Sequence, residues 1–165
     1  WIIFALAEGG WGLEKTEDFL KKLKQQRPIW APGGTAGHNL LLAGEFKILG
    51  EDQWYHCMRS QQKGAPVDWV RVSPVPITGS CVTLQKNAPQ PTAAKLFLEW
   101  QFSSQGLFTF EAIIGKGAPF PGSGTRLAKA LEGLPMAVRT EEVELRAIEL
   151  GLDKRFADIL GVTPE

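Results

Sequence analysis

The residues best placed by type and spacing to do chemistry are Pro32-Gly33-Gly34-Thr35-Ala36, directly ahead of an apolar run that ends at Gly44. Glycine carries no Cβ, so this backbone can turn tightly and come close to a ligand. The helix predicted to follow presents unpaired N–H groups and a partial positive end, a setting that holds an anion or a carboxylate. Thr35 either caps that helix or gives its hydroxyl to the ligand. The same residues also read as a plain glycine turn with a threonine cap. His38, one turn on, is a candidate ligand contact and equally a satisfied core or surface imidazole.

A second grouping is Asp52, Tyr55 and His56, with Tyr55 the only tyrosine of the chain. Carboxylate, phenolate and imidazole together can form part of a metal site. The alternative is that Trp54 and Tyr55 are packing aromatics on a half-buried helix. Ser73, Thr78 and Ser80 add hydroxyls in a proline-rich stretch that also serves as a plain connection. The carboxylates of 141–149 fall on a solvated helix and suggest no acid–base pair. No nucleophile elbow, phosphate-cradling loop or Ser/His/Asp motif is legible, and GSGT at 122–125 is too short for a phosphate loop. The expectation is a binding protein, not an enzyme. Cys57 and Cys81 fit no zinc spacing and read as two small buried hydrophobes, or as an oxidised pair in an oxidising compartment.

The elements that must position these residues follow from periodicity and punctuation. Helices are predicted at 1–8, 15–26, 36–43, 52–62, 91–103, 105–114, 124–132, 140–150 and 152–160. Arg27-Pro28 stops the second of these, Gly44 the third, Pro91 opens the fifth and Thr140 caps the eighth. Short extended segments are predicted at 29–31, 46–49, 67–72, 81–85 and 136–138. Strands alternating with helices point to an α/β layered fold.

Eighteen basic and eighteen acidic side chains cancel over 165 residues. Bulk charge therefore suggests neither a nucleic-acid nor a membrane-surface partner. No apolar run approaches the roughly 20 residues that span a bilayer, so the chain is not expected to be membrane-embedded. WIIFALAEGG starts apolar but has no basic leading region and no small-residue cleavage signature, so it reads as a helix interior rather than a signal peptide.

Three runs read together carry a resemblance: GGTAGHNLLLAGEFKI at 33–48, KGAPVDWV at 63–70 and KNAPQPTAAK at 86–95. In this order they resemble the C-terminal part of a type II periplasmic solute-binding protein of ABC importers, in the branch that carries ferric iron and small anions. The resemblance implies two partial lobes of mixed sheet flanked by helices. Residues 1–49 would belong to the second lobe, 50–119 to the first, and 120–165 to the second again, incomplete relative to the family. It implies hinge closure near 48–51 and 116–122 around a small ligand, a permease partner, and a periplasmic or extracellular location. The ligand residues it implies are Gly33, Gly34, Thr35, Ala36, His38 and Ser80. Ferric carriers of this kind bind iron through two adjacent tyrosines. Here Trp54 precedes Tyr55, which leaves one phenolate and weakens ferric iron as the transported ligand. No resident cofactor is implied. The opposing expectation is a shortened, stand-alone interaction protein, a homo-oligomer joined through apolar surface around Trp69, Phe97 and Trp100.

Overall fold

The computed structural model describes residues 1–162. The chain divides into two compact units, each assembled from stretches far apart in sequence. Unit one takes residues 1–29, 71–80 and those from Leu134 onward, and unit two takes 30–70 and 81–133. The chain thus passes between units after residues 29, 70, 80 and 133, whereas the resemblance places lobe boundaries after 49 and 119.

Unit one holds α1 (Ile2–Leu6), α2 (Leu13–Gln25), β1 (Val75–Thr78), β2 (Met136–Arg139), α8 (Glu141–Glu149) and α9 (Leu152–Leu160). Spacing in α9 places Leu152, Phe156 and Leu160 on one stripe, and all three are buried against Ala5, Leu20 and Ala147. Leu20, from α2, is fully buried. A smaller cluster joins Ala7, Ala137 and Val143. Thr140 caps α8 as its sequence predicts, accepting from the Val143 amide at 3.3 Å. β1 and β2 pair in parallel with Val75 opposite Met136 and Thr78 opposite Arg139.

Unit two holds α3 (Gly34–Ala43), α4 (Trp54–Gln62), α5 (Pro91–Gln101), α6 (Ser104–Ile114) and α7 (Arg126–Ala130). Its core is more polar. The buried Glu111 carboxyl accepts from the amides of Arg126 at 2.7 Å and Leu127 at 3.0 Å, anchoring the start of α7. Buried Ser123 and Thr125 both donate to the Ala118 carbonyl, at 3.2 and 2.6 Å. Gly117 is forced here, because a Cβ would stand 2.3 Å from Glu111 Oε1 and 2.6 Å from Leu127 Cβ.

Helices and a parallel sheet are both present, as an α/β reading requires. Among the described residues, though, the sheet is two parallel strands and nothing larger. Among the described residues, no helix is long and apolar enough to cross a membrane. The predicted helices form with shifts of a few residues, α3 beginning at Gly34 rather than 36. The strands expected at 29–31, 46–49, 67–72 and 81–85 do not form, and β1 arises instead within SPVPITGS, which reads as turn. Local bonds take the backbone of 67–72 out of any ladder. Gln61 Nε2 donates to the Val67 carbonyl at 2.8 Å, and Asp68 accepts from the Trp69 amide at 2.9 Å. β1 tolerates Pro76 because, among the described residues, β2 is its only ladder partner, which leaves an edge where no amide is required.

Candidate functional site: a histidine network in unit two

The three motif runs first act as structural devices that bound α3, α4 and α5. α3 ends with Gly44 in the left-handed region at φ 82°, where its amide donates to the Leu41 carbonyl and the Glu45 amide to that of Leu40. α4 ends the same way at Gly64, φ 84°, with the Gly64 amide on Gln61 and the Ala65 amide on Ser60. Such paired bonds satisfy the last carbonyls of a helix and need a residue without a Cβ penalty. KGAP is therefore a helix stop. In the third run, Pro91 opens α5, where a missing N–H costs nothing.

Inside that frame, His38 of α3 is buried. Its Nδ1 lies 2.6 Å from Asp52 Oδ2 and its Nε2 2.7 Å from Ser60 Oγ. The other oxygen of Asp52 lies 2.7 Å from Nδ1 of His56 and accepts from the Gln53 amide at 2.7 Å. Asp52, just ahead of α4, thus ties two imidazoles together, and the rings stand 5.3 Å apart. Buried Gly37 packs against Leu49, whose Cδ1 a Cβ there would meet at 3.0 Å. The nearby Cys57 thiol is pushed up from its ordinary range, first by burial and then by the Asp68 and Asp52 charges.

The sequence reading singled out His38, Asp52 and His56 in separate groupings and missed Ser60. His56 and Ser60, four residues apart, share one face of α4, and Asp52 stands four residues before His56 just ahead of the helix, which is the legible signal. The sequence reading also found no Ser/His/Asp arrangement, and the structure corrects that. Ser60, His38 and Asp52 form a hydrogen-bonded chain assembled from two elements, with no contiguous motif. The order matches that of a nucleophilic triad. An acyl-transfer site also needs free amide donors beside the serine. Here the amides of Lys63, Gly64 and Ala65 are spent on the Ser60 and Gln61 carbonyls that close α4. Ser60 itself lies within the α4 ladder.

The other expected site residues are placed differently. Gly33 is the cap residue of α3 at φ 95°, and no side chain caps that helix, so Thr35 is not its cap. Gly33, Gly34 and Thr35 are exposed, Ala36 is half-buried, and a Cβ on either glycine would meet nothing within 4 Å. His38 points into the protein rather than outward. Ser80 is exposed and belongs to unit one, while the rest belong to unit two. Tyr55 packs 4.3 Å from the His56 ring, with Lys116 Nζ 5.3 Å from its own ring centroid. A cation over the ring favours the packing role. Both cysteines are free, and Cys81 is exposed, against the expectation of two buried thiols. No family model, no curated protein and no solved structure matches the chain.

Proposed function

We propose that this chain is a solute-binding module of an ABC importer, or a shortened derivative of one, that captures a small anion or a ferric iron complex without covalent chemistry. The observation that carries the reading is the way the chain is threaded. β1 and β2 are parallel neighbours in unit one, yet residues 81–133 between them belong to unit two. Repeated passage between two units is the layout that lets one part of a binding protein move against another about several linked segments. The three motif runs support the same family, and the location would then be periplasmic or extracellular, with a permease as partner. The first anion contact is the exposed Gly33-Gly34-Thr35 turn with the open α3 N-terminus, and a ferric complex would have a single phenolate, Tyr55.

Calorimetry with sulfate, phosphate, acetate and ferric citrate tests this. One of them is expected to bind, with Gly34→Val weakening it far more than Thr35→Ala while circular dichroism stays unchanged. If none binds, the importer reading fails.

The second reading, a stand-alone structural or interaction protein that forms a homodimer, is favoured by apolar exposure on α5, where Phe97 is 55% and Trp100 41% accessible. Under it, light scattering on the same sample gives twice the chain mass, and a monomer at micromolar concentration removes it.

A further inference from the structure

We infer that His38, Asp52 and His56 form a binding site for one divalent cation of borderline softness, with zinc as the type. The inference stands on unit-two side chains alone and goes beyond the importer reading. One ligand atom from each residue lies within 4.8 Å of the other two. Two imidazole nitrogens and one carboxylate make a donor set that zinc accepts, leaving a fourth position for water.

Three features make this more than a chance grouping. The ligands come from two elements, so a cation would cross-link α3 to the start of α4. His38 is buried, and the side chains of Asp52 and His56 are 18% and 14% accessible. The remaining nitrogen of His38 is already held by Ser60 at 2.7 Å. A metal-bound histidine ordinarily donates its other ring N–H to such an acceptor, which fixes the tautomer and aims the bonding nitrogen. Ser60 is in this sense a positioning residue. A bound cation would take the place of the two contacts that Asp52 makes with the Nδ1 atoms.

The test titrates the full chain, stripped with a chelator, with zinc ion alone by calorimetry. Cobalt serves as a spectroscopic stand-in whose visible ligand-field bands report four-coordinate nitrogen and oxygen ligation. One zinc per chain is expected, with a rise in melting temperature. Asp52→Asn and His56→Gln should each abolish measurable binding. Ser60→Ala should weaken it about 10–100-fold while leaving the stoichiometry at one. His56→Gln is the decisive variant because His56 is only half-buried and its loss leaves the His38–Asp52–Ser60 chain intact. Absence of stoichiometric binding, or binding that His56→Gln and Asp52→Asn leave unchanged, overturns the inference and makes the network a purely proton-held brace. Failure of the anion panel bears only on the importer reading, because no anion takes part here.

Discussion

Cys57 shows how one side chain reports the polarity of unit two. Burial raises its thiol first, and the charges of Asp68 and Asp52 raise it further. The unfolded chain therefore gives up this proton at a lower pH than the folded one. Stability from this group is full below the ordinary thiol range, about pH 8.5, and falls as pH climbs from there through the folded value. Urea midpoints measured up that range should decline, and Cys57→Ala should flatten the decline. An unchanged alkaline slope in the variant would refute the assignment. Exposed Cys81 should react with a thiol reagent well before Cys57 in the folded chain.

At the scale of elements, the helix ends are more demanding than the helix middles. Gly64 sits at φ 84° with open space around it, so alanine meets no clash and bears only the left-handed backbone penalty. Gly64→Ala should cost about 1–2 kcal/mol in thermal unfolding. Gly106 is a different case. A Cβ there would lie 2.0 Å from the Trp100 carbonyl oxygen and 2.7 Å from Gln101 Cα, where Ser103 links the end of α5 to the start of α6. Gly106→Ala should cost more than about 3 kcal/mol, because backbone has to move rather than a side chain. Equal effects at the two positions would refute backbone crowding at the α5–α6 corner as the source of the larger loss.

For the whole molecule, the discontinuous units make a sharp expectation about truncation. A fragment ending at Gly133 would lack β2, α8 and α9, and so every ladder partner of β1 and most of the cluster around Ala5 and Leu20. Hydrogen exchange on that fragment should find residues 1–29 unprotected, while the amides of α3, α4 and α6 in unit two keep their protection. Protection of α2 in the fragment would show that unit one does not depend on its C-terminal stretch.

Most helices are legible in the chain alone, because each has an apolar stripe or a terminator that acts locally: Arg27-Pro28 after α2, Gly44 after α3, Pro91 at α5, Thr140 before α8. The sequence also marked His38, Asp52 and His56 as residues worth watching. Which extended segment becomes a strand depends on partners distant in the chain. SPVPITGS pairs since Met136–Arg139 lies beside it, while 67–72, richer in β-formers, is held by Gln61 and Asp68. Only the fold, too, brings Nδ1 of His38 within 2.6 Å of Asp52, fourteen residues away. Helix propensity and capping are settled within a turn or two of chain. Strand pairing and side-chain networks depend on partners that sequence distance hides.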